Sequence, residues 1–180
     1  MAVLTLPDYL RPGLKLVFIG LNPGLYSAQM GKYFARKTNR FWPALSHANF
    51  FDREVNPGDE KKLFEQGVGF TDVVKRATAQ IDELTREEIA AGARALQRKI
   101  KKFSPAAVCF LGITGFRWVF QIPAQHRVTP GPQSETLGVS RVYVLPSPSP
   151  ANAHSSLPAL AAELRKLKSW LARLERKGNE

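Results

Sequence analysis

Three short apolar runs along the chain have the length and density of buried β-strands. They cover residues 14–21 (LKLVFIGL), 106–111 (AAVCFL) and 139–145 (VSRVYVL). Each run stops at a turn signal: Asn22-Pro23-Gly24, Gly112 and Pro146 respectively. Because the runs show little polar alternation, they are typical of strands covered on both faces, and we expect them to form one sheet.

Two further segments have the spacing of amphipathic helices. Residues 85–103 begin with a capping box, Thr85 and Glu88, and repeat their apolar positions at helical intervals: Ile89, Ala93, Leu96 and Ile100. Residues 156–177 do the same with leucines at positions 160, 164, 167 and 171. Alternating strands and helices imply crossover connections, so the pattern predicts an α/β fold with a mainly parallel sheet. We expect one domain over residues 1–180, with loosely held tails at about 1–12 and 176–180.

The charge of the chain favours a polyanionic partner. Its 26 Lys and Arg residues against 15 Asp and Glu residues give a formal net charge of +11. Neutralising phosphates releases condensed counterions, so this excess points to nucleic acid. The single cysteine, Cys109, lies in an apolar run, where a buried, reduced thiol is typical. No leader or long apolar stretch is evident, so we expect a cytoplasmic protein without a membrane, nucleoid-associated if the source is bacterial.

Polar turns follow the apolar runs where the ligands of parallel α/β sheets bind. We single out residues 22–25 (NPGL), 69–72 (GFTD) and 146–150 (PSPSP). Each has an ordinary explanation, as a turn, a helix cap at Asp72 or a rigid loop. Together they place Asn22 and Asp72 near one expected cleft, with small residues that let backbone N–H groups approach phosphates.

The segment 25–41 (LYSAQMGKYFARKTNRF), which we expect to be a loop, combines cations and aromatic rings without any acidic residue. The cations are Lys32, Arg36, Lys37 and Arg40, and the rings are Tyr26, Tyr33, Phe34 and Phe41. Such a mixture suits phosphate neutralisation together with base stacking. Phe41 and the following Trp42 are more typical of core residues. Phe34, in a glycine-containing loop beside the expected cleft, could belong either to the core or to the site.

These residues resemble one known family. Gly20-Leu21-Asn22-Pro23-Gly24-Leu25, Phe34-Ala35 and Asn39-Arg40-Phe41-Trp42 are similar to motifs of the mismatch-specific uracil/thymine DNA glycosylases. Gly67-Val68-Gly69-Phe70-Thr71 and Leu145-Pro146-Ser147-Pro148-Ser149 match in order and spacing. The resemblance spans roughly residues 14–170. It implies a three-layer α/β/α sandwich around a short, mainly parallel sheet.

The resemblance also implies roles for individual residues. Asn22 would orient the hydrolytic water beneath the sugar C1′, and Phe34 would stack on the flipped base. The substrate-binding set would include backbone amides around Leu21 and Tyr26, together with Ser27. The DNA-binding set would be Lys32, Ser147, Ser149, Pro150, Ala151 and Asn152.

The sequence departs from the family at two positions. Asp72 stands where an amide or a lysine is expected, and we hypothesise that it is a second catalytic residue, the alternative being a helix cap. Ala151 is small where the family tends to carry a larger Leu or Arg wedge that replaces the flipped base. The wedge of this chain would then be weaker or supplied by a neighbour.

The expected function is a monofunctional DNA glycosylase for uracil in mismatched double-stranded DNA, with thymine and other damaged pyrimidines as further candidate substrates. We expect a monomer. No cofactor is implied, because the chain has no nucleotide-binding motif, and its three histidines and one cysteine have no zinc-ligand spacing. Two alternatives stay open: a non-catalytic nucleic-acid-binding domain on the same scaffold, and an enzyme acting on free nucleosides or nucleotides.

Overall fold

The computed structural model describes residues 3–178, which contain five strands and six α-helices. Their order is β1 (Leu16–Gly20), α1 (Leu25–Met30), α2 (Phe41–His47), α3 (Glu60–Glu65), β2 (Val68–Asp72), α4 (Arg86–Phe103), β3 (Ala107–Leu111), α5 (Ile113–Phe120), β4 (Gly131–Leu137), β5 (Ser140–Leu145) and α6 (Leu157–Gly178), with a 3₁₀ turn at Ile81–Glu83 between β2 and α4. None of the described helices is long and apolar enough to cross a membrane.

The five strands form one sheet in the order β2-β1-β3-β5-β4. β1 pairs in parallel with β2 on one side and β3 on the other, and β3 pairs in parallel with β5. Only the edge strand β4 is antiparallel among the described strands. The chain therefore proceeds from β1 toward one edge of the sheet and from β3 toward the other. Open α/β sheets bind their ligands at the crevice between two such strands.

Alternate residues of the strands enter two separate cores, one on each face of the sheet. On one face, Phe18 and Cys109 pack with buried residues of α2, α3 and α6. On the other, Val17 and Phe110 pack with α4 and α5. This period of two places helices on both faces, so the α/β/α expectation is confirmed, and Cys109 is fully buried as expected.

The capping box at α4 is present as predicted. Thr85 Oγ1 accepts from the Glu88 N–H at 3.1 Å, and Glu88 Oε2 accepts from the Thr85 N–H at 2.8 Å. The two bonds satisfy donors that the first helical turn would leave without partners. α4 consequently begins at Arg86.

Two sequence-based expectations are wrong, and one strand was not predicted. The segment 69–72 is not a turn: it belongs to β2, whose five residues are all buried. The segment 25–41 is not a continuous loop, because it begins with α1. β4 was not predicted, since its alternating burial with Gly, Pro and charged residues lacks a dense apolar run.

The predicted loose tails are also corrected where the structure describes them. Leu6 is buried, and Tyr9 exchanges two backbone hydrogen bonds with Phe70 of β2, so this part of the N-terminal segment is docked on the sheet edge. At the other end α6 continues to Gly178. Residues 1–2 and 179–180, which also belong to the predicted tails, lie outside the described residues.

Candidate active site

A cavity of about 360 Å³ lies at the carboxyl ends of β1, β3 and β5, beside the point where the strand order reverses. Its size is within the range of small-ligand sites. The cavity brings together many of the residues singled out in the sequence: Leu21, Asn22, Ser27, Phe34, Ser147, Ser149, Pro150 and Ala151. Arg36, Asn39, Thr78, Gln80 and Ile81 complete most of the remaining wall.

The Asn22 side chain is held in one orientation by bonds from its amide nitrogen. Nδ2 donates to the Arg76 carbonyl at 3.0 Å and to Thr78 Oγ1 at 2.8 Å. A carbonyl can only accept, so the nitrogen must be on this side and Oδ1 on the other. Within residues 3–178 Oδ1 accepts no hydrogen bond, and it is not enclosed. Asn22 therefore offers the cavity a fixed, free acceptor without basic character.

Phe34 is held in a backbone conformation that side chains rarely adopt, with φ at 51°. Hydrogen bonds on both sides enforce it: the N–H of Tyr33 donates to Glu60 at 2.6 Å, and Trp42 Nε1 donates to the Tyr33 carbonyl at 2.8 Å. Ser27 Oγ accepts from the N–H of the residue after Phe34 at 3.0 Å. These hydrogen bonds therefore fix the aromatic ring at the cavity wall, although the backbone conformation is strained.

The ring of Phe34 is supported from behind by the core. Its centroid lies 4.4 Å from that of Phe41 and 5.8 Å from that of Tyr33. Phe41, Trp42 and Tyr33 are each only 1% exposed, so the core interpretation of Phe41 and Trp42 is confirmed, and Tyr33 joins them. Phe34 itself is partly buried and lines the cavity, which answers the question left open by the sequence.

The loop after β5 forms the opposite wall and is tied down by Arg40. The guanidinium donates to the carbonyls of Ser149 at 2.5 Å, Asn152 at 2.6 Å and Pro148 at 3.4 Å, and also to the carbonyl of Ser155. The backbone N–H of Arg40 donates to Pro148 as well, at 3.0 Å. Arg40 was expected among the cations that neutralise phosphates, but its donors are occupied within the protein.

Asp72 lies behind the cavity wall rather than on it. It is the in-register neighbour of Gly20 at the end of β2, and its side chain is only 2% exposed. A Cβ added to Gly20 would lie 2.6 Å from Asp72 Oδ1 and 3.7 Å from the Phe34 ring. Only glycine therefore lets the carboxylate approach the backbone that lines the cavity.

No helix begins directly after Asp72, so the interpretation of this residue as a helix cap is wrong. The next α-helix begins at Arg86 and is capped by Thr85. Asp72 is instead the buried member of a partly exposed charge cluster. Lys75 Nζ lies 3.5 Å from Asp72 and 2.8 Å from Asp8, and Lys99 Nζ lies 2.5 Å from Asp8.

The two carboxyl groups of this cluster differ in their pKa values. Burial raises the pKa of Asp72 to about 6, against the opposing effect of Lys75. Burial also acts on Asp8, but hydrogen bonds from Lys75 and Lys99 outweigh it and hold the pKa of Asp8 below its usual value. Asp72 consequently changes charge near neutral pH, directly beneath the cavity.

Besides Asp72, three predicted site residues do not line the cavity. The side chain of Tyr26 is on α1 and exposed, although its backbone N–H and that of Ser27 have no acceptor within residues 3–178. Lys32 packs its aliphatic chain over Gly58. Asn152 stabilises the loop from within, because its Nδ2 donates to the Ser147 carbonyl at 3.1 Å.

Sequence reasoning missed the residues that support the site. Thr78 follows no apolar run, and Glu60 would be taken for a surface residue of α3, although it is 2% exposed. The signal for Arg40 was its place in the Asn39-Arg40-Phe41-Trp42 motif, where two buried aromatic residues follow it.

Replacing Asp72 with Asn should change how stability depends on pH. The raised pKa means that the folded state binds the proton more tightly, so the wild-type protein loses stability as pH rises from about 4 through about 6. The variant lacks this loss, and Lys75 keeps Asp8 as a partner. The unfolding free energy of the variant minus that of the wild type should therefore increase by up to about 3 kcal/mol from pH 4 to pH 7.5. Denaturant unfolding at both pH values measures it; a constant difference would contradict the raised pKa.

Replacing Arg40 with Lys should loosen the loop over residues 147–155. One ammonium group cannot span the four carbonyls, so unfolding free energy should fall by about 1–3 kcal/mol, and amide exchange in the loop should accelerate. Hydrogen exchange with mass spectrometry checks this. Arg165→Lys is the matched control, because Arg165 is exposed and donates to one carbonyl, that of His47. Equal exchange in the two variants would show that Arg40 does not hold the loop.

Comparisons with known proteins agree with this architecture. A candidate uracil DNA glycosylase from Methanosarcina acetivorans, whose solution structure was determined by NMR, is similar with a TM-score of 0.61 and 20% sequence identity, over 95% of this chain and 97% of that chain. At this identity the likeness shows the fold. The model of the Uracil DNA glycosylase superfamily matches residues 7–173, nearly the whole chain. The chain therefore belongs to the uracil DNA glycosylase superfamily.

Proposed function

We propose that this chain is a monofunctional DNA glycosylase of the mismatch-specific uracil/thymine type. It takes uracil, or a similar mispaired pyrimidine, out of duplex DNA and hydrolyses its bond to the sugar. The observation that carries the proposal is the fixed, free Oδ1 of Asn22 in a cavity that also presents the Phe34 ring. Family membership and the charge of +11 support DNA as the substrate.

The cavity suits a base that has left the helix. A base inside the stack cannot be reached, and extrusion costs a few kcal/mol, least for a mispaired base. The Phe34 ring, supported by Phe41, offers an apolar surface against which a pyrimidine can stack. The loop over residues 147–151 forms the facing wall, and Arg40 holds it in place before DNA arrives.

Asn22 orients water and does not activate it. Oδ1 can accept a hydrogen bond from a water beneath C1′, while the amide has no group that takes up a proton at neutral pH. Catalysis therefore depends on stabilising the departing base, whose O2 gains negative charge as the sugar becomes oxocarbenium-like. The N–H groups of Tyr26 and Ser27, in the first turn of α1, have no acceptor within residues 3–178, and they are our candidate donors to the base.

Asp72 is our second catalytic group. Above about pH 6 its carboxylate is charged and lies against Gly20 at the cavity wall, where it can stabilise positive charge on the sugar. Accepting the proton of the water would require Asp72 to reach it through a second water, because the side chain does not line the cavity. No lysine lines the cavity within residues 3–178, which supports a monofunctional enzyme that leaves an abasic site.

Removing the Asn22 side chain should abolish most of the activity. In single-turnover reactions with a duplex containing one G·U pair, Asn22→Ala should release uracil about a hundredfold more slowly, because the water loses its acceptor. Alkaline cleavage of abasic sites measures product. Asn56→Ala, at an exposed position away from the cavity, should match the wild-type rate. Tight, salt-sensitive binding by the wild-type protein without any cleavage would favour the non-catalytic binding domain instead.

Asp72 is tested by the pH dependence of the same reaction. The wild-type rate should rise as pH increases through about 6, since the carboxylate becomes charged there. Asp72→Asn should be slower by about tenfold or more at pH 7.5 and should lose this rise. A wild-type rate and pH profile in Asp72→Asn, alongside a crippled Asn22→Ala, would remove Asp72 from the mechanism.

A further inference from the structure

The rim of the cavity carries one large exposed apolar side chain. Among residues 3–178, the large hydrophobic residues that are substantially exposed are Val3, Leu4, Tyr26, Met30, Ile81, Ile113 and Val139. Of these seven, only Ile81 lines the cavity, and its side chain is 42% exposed. It is therefore an apolar group held in water at the entrance through which a flipped nucleotide would pass.

The facing rim has no comparable side chain. It consists of Ser149, Pro150 and Ala151, of which Pro150 and Ala151 are exposed. Neither residue carries a long aliphatic chain, and the Ala151 N–H is held by Ser149 Oγ at 3.3 Å. A large apolar side chain therefore lies at the entrance on the side of Gln80 and Ile81, and not on the loop after β5.

The turn that presents Ile81 is braced on both sides. The Gln80 N–H donates to Glu83 Oε1 at 2.7 Å, and Arg76 Nη2 donates to the Glu83 carbonyl at 2.8 Å. Arg76 is fixed in turn by Glu88 of α4, at 2.6 Å from its Nε. The same segment contains Thr78, which positions Asn22, so Ile81 and the catalytic amide are held by one short stretch of chain.

We propose that Ile81 is the apolar wedge that enters the base stack when a nucleotide is flipped into the cavity. An extruded base leaves a gap between its stacked neighbours, and an inserted aliphatic side chain fills the gap and leaves water at the same time. Ile81 is exposed before binding, so its side chain does not have to leave the protein core to be inserted. The proposal rests on the proposed function, because it assumes that a base is flipped.

The direct test compares duplex and single-stranded substrates. A gap forms only in a duplex, so Ile81→Ala should lower the rate of uracil excision from a G·U duplex at least about tenfold more than the rate from a single strand. On a single strand the variant loses only the contact that Ile81 makes as part of the cavity wall. Ile81→Phe, which keeps a large apolar group, should retain most of the duplex activity. Val139→Ala removes an exposed aliphatic chain at the opposite, amino-terminal end of β5, and should change neither rate.

A second measurement detects the wedge without any hydrolysis. A duplex carrying a stable abasic-site analogue beside 2-aminopurine gains fluorescence when the neighbouring stack is opened. Wild-type protein and Val139→Ala should produce this gain, and Ile81→Ala should lose most of it at saturating protein. The result holds even if the protein cleaves no substrate, so failure of the proposed function and failure of the wedge are distinguishable.

Two outcomes would overturn the proposal. The first is an equal loss of duplex and single-strand activity in Ile81→Ala, because a wedge has no role on a single strand. The second is a fluorescence gain that persists in Ile81→Ala and disappears in Pro150→Ala, which would assign the wedge to the loop after β5.

Discussion

The chemistry of this site depends on two hydrogen bonds donated by the Asn22 amide nitrogen to Arg76 O and Thr78 Oγ1. They fix which atom of the side chain faces the cavity, and they connect the end of β1 to the segment that follows β2. An aspartate at position 22 would place an oxygen against the Arg76 carbonyl, where no proton is available. The surrounding residues therefore select an amide, which orients water without activating it.

The walls of the cavity are set before any ligand binds. Phe34 is kept in a strained conformation by hydrogen bonds of its two chain neighbours, Tyr33 and Ala35, and the strain is offset by its packing on Phe41. Glu60 and Ser27 accept from the backbone N–H groups of these neighbours, and Trp42 donates to the Tyr33 carbonyl. Arg40 uses its guanidinium as an internal support for the facing loop. Both arrangements fix the geometry of the cavity in advance, which is what stabilisation of a transition state by fixed dipoles requires.

The sequence predicted much of the fold because dense apolar runs and helical periods are local signals. β1, β3, β5, α4 and α6 were found in this way, and the positions of Asn22, Phe34 and Ser147 followed from the turns and the family motifs. β4 and the short helices α1, α2, α3 and α5 lack such signals.

Contacts between distant segments could not be predicted. Whether Asp72 ends a strand or caps a helix depends on pairing with Gly20, fifty-two positions earlier in the sequence. The use of Arg40 by backbone carbonyls depends on a loop more than a hundred residues away. The net charge and composition of the chain do not depend on whether a given Lys or Arg contacts DNA or other parts of the protein. Only the tertiary structure shows which of the two roles Arg40 has.

We propose that an everted pyrimidine occupies the cavity beside Phe34, with Asn22 Oδ1 bound to a water beneath the sugar. A crystal structure with a duplex containing 2′-fluoro-deoxyuridine opposite guanine, which resists hydrolysis, tests it most directly. We expect the uracil ring to be stacked on Phe34, and Asn22 Oδ1 to lie within hydrogen-bond distance of a water beneath C1′. A uracil that stays within the helix, or DNA bound on another face of the protein, would contradict it.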